Sequence, residues 1–311
     1  MATTQRIIVP LDGSALAEQS IPYAVALAGA SGEIMFLHVV PSPEPLRGLF
    51  GSQIASIDDV LEMATQTGTA LMIETIDRWQ SVLKSQPQVS VVAGDPAQAT
   101  LDAIGSFGAT MLVLASHGRG MAGRIAFGSV ADRLARSSSV PVLIIHPVDS
   151  LDPLASAAEI RRVVVPLDGS DTANEALPIA EQVAKDTGAR VVLVSAINPT
   201  TGLILPSPVG TYYPTELYEE ISADMRAGAK EDLTAAKARI GGVDAATLVI
   251  DGPAVEAIQA VLETGDLVVM TSHGRSGFRR WLLGSVAEKL IRSGAAPVLL
   301  VPSSDRLASA S

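Results

Sequence analysis

Residues 6–14 read RIIVPLDGS, and residues 162–170 read RVVVPLDGS, 156 positions further along the chain. The same interval separates Gly118 from Gly274, Gly128 from Gly284 and Pro141 from Pro297, so the correspondence runs the length of each half. A chain that repeats itself at one long interval is expected to fold as tandem copies of one unit. Its 311 residues leave each copy the size of an ordinary domain. Between the copies, VDSLDPLASAAE (148–159) is small, polar and acidic with one proline, the composition of a linker. The expected division is therefore a first domain at 1–147, a linker at 148–159, a second domain at 160–303 and a tail at 304–311.

Within each copy, short apolar runs alternate with helix-length stretches. The expected strands are RIIVPL, EIMFLHVV, VSVVAG, TMLVLAS and VPVLIIH in the first copy, and RVVVPL, RVVLVSAI, ATLVID, LVVMTS and APVLLVP in the second. Their nearly unbroken Val, Ile and Leu content predicts strands covered on both faces. Stretches such as ALAEQSIPYAVALAGA and DTANEALPIAEQVAKDTG have helical spacing and end in glycine, a common helix terminator. Strand and helix in alternation predict an α/β fold with a doubly wound, mainly parallel sheet in each domain. Such sheets bind ligands beyond the C-terminal ends of their strands, where the strand order reverses. PLDGS follows the first strand there, and SHG follows the fourth.

Composition narrows the choice of ligand. A net charge of -11 and a pI of about 4.8 repel polyanions, and with 4% aromatic residues there is little to stack on bases, so nucleic acid is not an expected partner. There is no cysteine, which excludes disulfides and thiolate metal sites and fits a cytoplasmic protein. His38, His117, His146 and His273 are scattered, so no metal site is expected. The N-terminal MATTQRIIVPLDGS lacks the apolar core and cleavage site of a secretory signal. Nor does any apolar run reach the ~18 residues of a membrane span, and no membrane partner is expected.

The loops SHGRGMAGRIAFGS (116–129) and SHGRSGFRRWLLGS (272–285) lead into SVADRLARS and SVAEKLIRS. Glycines let backbone amides approach an anion, and a helix N-terminus adds free N–H groups and partial positive charge, which together describe a phosphate cradle. These loops hold Arg119 and Arg124, and Arg275, Arg279 and Arg280, without one acid, so they form positive islands on an acidic chain. A plainer reading makes Gly128 and Gly284 turn residues and Ser129 and Ser285 helix N-caps. Asp12 and Asp168 are open to two roles, helix capping or accepting hydrogen bonds from a ribose or an adenine edge. His117 and His273 read as loop-bracing groups or as acid–base catalysts. His38 has no counterpart, since Ser195 takes its place. GRGMAG (118–123) fits G-x-G-x-x-G but follows the fourth strand rather than the first, which excludes a dinucleotide fingerprint. A phosphate-binding lysine motif and a nucleophile elbow are also missing.

The combination of PLDGS, LHVV, GDP before a helix, SHG-x9-GSV and PVLII resembles the universal stress protein family, in tandem and over nearly the whole chain. The resemblance implies two Rossmann-like domains, each an open five-stranded parallel sheet of order 3-2-1-4-5 with helices on both faces. It also implies ATP, AMP or ADP, with Mg²⁺, held across G-x-x-G-x9-G-[ST]. Carried over position by position, Gly118, Arg119, Gly128 and Ser129 hold phosphates and ribose, followed by Val130. Asp12 and Val39 flank the adenosine, with Pro10, Leu11 and Gly13 completing the loop around Asp12. The second copy supplies Pro166, Leu167, Asp168, Gly169, Ala196, Gly274, Arg275, Gly284, Ser285 and Val286. The first glycine of the motif is replaced by Ala115 in copy one and by the bulkier, β-branched Thr271 in copy two, which ranks the first site above the second.

No nucleophile, general base or lysine is arranged for phosphoryl transfer. The expectation is therefore a nucleotide-binding, stress-responsive regulatory module without catalytic residues and with at most slow ATP hydrolysis. An ATPase or phosphotransferase using His117 or Asp12, and a nucleotide-free scaffold, stand as alternatives. The apolar last strands are expected at sheet edges, where they invite self-association, within the chain as a pseudo-dimer or between chains as a homodimer. The loops at 41–52 and 198–216 read as proline-rich surface segments or as lids.

Overall fold

The computed structural model describes residues 4–41, 57–116, 127–148, 154, 158–199, 215–272 and 283–304. The chain divides into two compact units, Met1–Glu159 and Ile160–Ser311. The first contains β1 (Arg6–Pro10), α1 (Ala15–Glu18), α2 (Ile21–Ala28), β2 (Glu33–Val40), α3 (Ile57–Trp79), β3 (Gln88–Ala93), α4 (Pro96–Phe107), β4 (Met111–Ala115), α5 (Ser129–Ser137) and β5 (Val142–Ile145). The second repeats the order as β6 (Arg162–Pro166), α6 (Asp171–Asn174), α7 (Leu177–Thr187), β7 (Arg190–Ile197), α8 (Thr215–Ala238), β8 (Ala245–Asp251), α9 (Ala254–Val261), β9 (Asp266–Thr271), α10 (Ser285–Ser293) and β10 (Val298–Val301).

All strand pairs within each unit are parallel, in the order β3-β2-β1-β4-β5 and β8-β7-β6-β9-β10. This is the α/β architecture and the strand order expected. Successive residues of a strand point to opposite faces, yet Ile7, Ile8 and Val9 are all fully buried, as are Val163 and Val165 with Val164 nearly so. Both faces of each sheet are therefore covered by helices, which explains why these strands read as unbroken apolar runs.

The stretch ALAEQSIPYAVALAGA is not one helix. It breaks into α1 and α2 at Gln19–Ser20, and its counterpart breaks at Glu175–Ala176. Pro22 and Pro178 sit in the first turn of the second piece, where a missing N–H is harmless, whereas within a continuous helix each would break the ladder. The break frees Gln19 to grip the backbone beyond β5: its Nε2 donates to Val148 O and its Oε1 accepts from Val148 N, both at 2.9 Å. Glu175 does the same beyond β10, accepting from Ser304 N at 2.7 Å and from Ser304 Oγ at 2.6 Å.

Each unit has its own internal ion pair holding its elements together. In the first, buried Glu18 accepts from Arg78 Nη1 and from Trp79 Nε1, fastening α1 to the end of α3. In the second, Arg162 joins β6 to β9 through Asp266, with Nε–Oδ1 at 2.7 Å and Nη2–Oδ2 at 2.5 Å, and reaches Glu263 and Val261 O as well.

Candidate functional site

The PLDGS turns are built by their own side chains. Asp12 Oδ1 accepts from Ser14 N at 2.9 Å and Ser14 Oγ at 2.6 Å, and Ser14 Oγ in turn accepts from Ala17 N at 3.1 Å. Asp168, Ser170 and Ala173 repeat this at 3.0, 2.6 and 3.1 Å. The helix cap is thus the serine, and the aspartate two residues earlier braces it, which corrects the capping alternative for Asp12 and Asp168. Gly13 and Gly169 lie at φ 78° and 79°, a left-handed conformation that glycine adopts without strain, so the turn needs them for its shape.

The other wall begins where β4 ends. Ser116 N donates to Ile145 O and Ser116 O accepts from Gly128 N at 2.8 Å, so the chain returns to its own starting point before entering α5. Ser272 and Gly284 close the second loop in the same way at 2.7 Å. Gly128 and Gly284 occupy the N-cap positions of α5 and α10, and a glycine has no side chain with which to cap its helix. Ser129 and Ser285 are therefore not N-caps, which corrects that reading; each is the first helical residue. By contrast, α1 is capped by Ser14 and α4 by Asp95. The glycine-capped first turns bring backbone amides and the positive end of the helix dipole to the gap between β1 and β4 and to its counterpart in the second unit.

That gap is a cavity in both units. In the first it measures about 460 Å³ and brings together Pro10, Leu11, Asp12, Val39, Ala115, Gly128, Ser129 and Val130, over an apolar floor of Leu37 and Leu114. In the second it measures about 210 Å³ and brings together Pro166, Leu167, Asp168, Ala196, Thr271, Gly284, Ser285 and Val286, with Val194 and Met270. Gly13 and Gly169 are not among the lining residues. His117, Gly118, Arg119, Arg124, His273, Gly274, Arg275, Arg279 and Arg280 lie outside the described residues, as do most of the loops at 41–52 and 198–216.

His38 faces away from this chemistry. Its Nδ1 lies 2.7 Å from Leu11 O, and because a carbonyl only accepts, Nδ1 carries the proton. The ring packs against Gly68 of α3. Thr100, Pro96, Ser116 and Ala17 also line the first cavity without having been singled out from the sequence. Thr100 left no chemical signal because its hydroxyl is spent on Pro96 O at 2.7 Å. Arg133 links the rims by donating to Asp95 at 2.8 Å and to Gln98 at 2.9 Å. Among the described residues no group of three or more His, Asp or Glu is placed to hold a metal ion.

The family profile of the universal stress proteins matches residues 3–146 and again residues 159–302. The chain belongs to the universal stress protein family, as a tandem of two such domains. A universal stress protein of Mycobacterium tuberculosis, Rv2005c, is 30% identical over 193 residues, 62% of this chain and 61% of its own length. The match thus spans less than two thirds of that relative. Another, from Mycolicibacterium smegmatis, is 26% identical over 307 residues, covering 96% of this chain and 98% of the relative. The crystal structure of a universal stress protein from Archaeoglobus fulgidus covers 96% of this chain and 99% of its own, with a TM-score of 0.61 and 21% identity, a likeness of fold. In the tandem universal stress protein described here, no helix among the described residues is long and apolar enough to cross a membrane.

Proposed function

We propose that this tandem universal stress protein binds an adenine nucleotide in its first domain and acts as a cytoplasmic regulatory module of the stress response. One observation carries the reading: a cavity of about 460 Å³, within the ~300–1,000 Å³ range of small-molecule sites, is lined by a carboxylate on one side and by a glycine-capped helix N-terminus on the other. Leu37, Val39 and Leu114 offer an apolar bed for a base. Asp12 accepts from ribose hydroxyls. The Ser129 and Val130 amides and the α5 dipole take phosphate oxygens, and the family motif assigns Gly118 and Arg119, outside the described residues, to the same role. The second cavity, at about 210 Å³ and with Thr271 in place of Ala115, ranks below it.

Mg²⁺ usually binds through one or two carboxylates together with substrate phosphates and water. Asp12 is the carboxylate lining the first cavity, which fits an ion delivered with the nucleotide. Bound there, the ion would neutralise phosphate charge; the chain's own groups bind and orient. Among the described residues that line the cavity there is no lysine or histidine, and Asp12 Oδ1 is engaged by Ser14, which supports a binding role with slow hydrolysis. Self-association through the last strand of each domain, β5 and β10, within or between chains, completes the proposal.

Denaturing freshly purified protein and identifying the released small molecules by mass spectrometry tests the reading. About one equivalent of adenine nucleotide per chain supports it; none, even after incubation with ATP and Mg²⁺, refutes it in favour of a scaffold. Turnover of ATP at about 1 per second or faster, an ordinary enzymatic rate, would refute the regulatory-module part.

A further inference from the structure

The β-ladder supplies an equivalence between the domains that the fixed interval of 156 conceals. Val40 pairs with Ala93, and Gly94 N donates to Val40 O; Ile197 pairs with Asp251, and Gly252 N donates to Ile197 O. Gly94 therefore corresponds to Gly252, Pro96 to Ala254 and Thr100 to Ile258. Both members of each pair, one helical turn apart, line their cavity.

Three lining positions become smaller in the second domain: Pro96 to Ala254, Leu37 to Val194 and Val39 to Ala196. On side-chain size alone they would enlarge its cavity. The cavity is instead less than half the size, about 210 against 460 Å³. Two lining positions grow, Ala115 to Thr271 and Thr100 to Ile258. Of these, Ile258 belongs to α9, which packs on β7, the strand carrying the shrunken Val194 and Ala196, and Ile258 itself is 3% exposed. Close-packed interiors do not leave such space empty. Ile258, larger than Thr100, buried and on the helix packed against that strand, is placed to take up the volume released by the floor. In the first domain Thr100 is shorter, and its hydroxyl is turned back onto the helix, so the bed over Leu37 and Val39 stays open.

Resting on the nucleotide reading of the first cavity, we propose that Ile258 is the specificity-determining residue that closes the base subsite of the second domain, and that Thr100 keeps the first open. The tandem chain then binds one adenine nucleotide, not two.

Calorimetric titration of the full chain with ATP and Mg²⁺ tests this by stoichiometry. Wild type is expected to bind about one equivalent. Ile258→Thr raises second-site affinity at least tenfold and brings the stoichiometry towards two, with Ile258→Val moving it in the same direction as a milder change that preserves packing. Thr100→Ile weakens the first site at least tenfold, whereas Thr100→Val, which loses the hydroxyl but little volume, retains binding. Two equivalents in wild type would overturn the inference. So would a second equivalent appearing with Thr271→Ala alone while Ile258→Thr changes nothing, or full binding by folded Thr100→Ile. A wild type that binds no nucleotide at all, by contrast, removes the functional reading on which the inference rests.

Discussion

Gly68 and Gly228 each lie midway along the long helix of their domain, yet alanine should act in opposite directions at the two. Glycine in a helix interior costs about 0.5–1 kcal/mol relative to alanine, because it surrenders more backbone freedom on folding. At Gly228 a new Cβ meets nothing within 4 Å. Gly228→Ala should therefore stabilise the second domain by about 0.5–1 kcal/mol. At Gly68 the same atom lands 2.7 Å from His38 Cδ2 and 3.0 Å from Val91 Cγ1. The His38 ring cannot simply turn aside, because its Nδ1 is tied to Leu11 O at 2.7 Å. Overpacking of this kind costs about 1–3 kcal/mol. A broken hydrogen bond adds about 0.5–1.5 kcal/mol. Against the helix gain, Gly68→Ala should destabilise the first domain by about 1–3 kcal/mol.

Differential scanning calorimetry can read both variants, since 1 kcal/mol shifts the melting temperature of a domain of this size by about 2–4 °C. Gly228→Ala should rise by about 1–4 °C and Gly68→Ala fall by about 2–12 °C. The causal step is isolated by His38→Ser, which installs the residue found at Ser195 in the second domain. In that background Gly68→Ala should recover most of its loss, a coupling of about 1–2 kcal/mol. Two shifts of the same sign, or additivity within ~0.5 kcal/mol across the cycle, would refute the claim that His38 and Gly68 are a matched pair.

Asp266→Ala strands Arg162, whose side chain is only 12% exposed, without its main partner, and should cost about 3–5 kcal/mol in unfolding of the second domain by urea. Ser14→Ala removes the α1 cap and the hydroxyl that Asp12 braces; a loss of about 0.5–2 kcal/mol is expected by thermal unfolding. Burial raises the Tyr23 phenol above its ordinary value near 10. The folded state thus holds that proton more tightly than the unfolded chain, and the associated stability, complete below about pH 10, is lost as pH rises further. Tyr23→Phe should flatten that alkaline limb in a series of melts.

Much of the fold is legible in the sequence because both of its constraints are local. Unbroken apolar runs such as RIIVP and VLII require cover on both faces, and a parallel sheet flanked by helices provides it. What local pattern could not predict was the break at Gln19–Ser20. Helical spacing continues straight through it, and the cause is a proline two residues later whose position in the first turn of α2 becomes meaningful only once that helix starts anew. Nor could Gln19 have been paired with Val148, 129 residues away, since a single side chain gripping a backbone leaves no periodic trace.

The site divides along the same line. Asp12, Gly128 and Ser129 were legible because they lie in PLDGS and SHG-x9-GS, segments whose counterparts all stand 156 positions away, so one interval exposes them together. Thr100 was not. Between β2 and β4 the two copies differ by loop residues, and the interval drifts from 156 at Pro10 and Pro166 to 158 at Gly94 and Gly252 before returning to 156 at Ala115 and Thr271. A comparison at the constant interval of 156 sets GDP (94–96) beside IDG (250–252) and Thr100 beside Glu256, which hides the exchange of threonine for isoleucine. Register restores it, because a ladder of backbone hydrogen bonds counts residues from the strand and is indifferent to insertions elsewhere. Duplicated domains keep loop chemistry in step with sequence, whereas the packing that decides the size of a cavity follows the sheet.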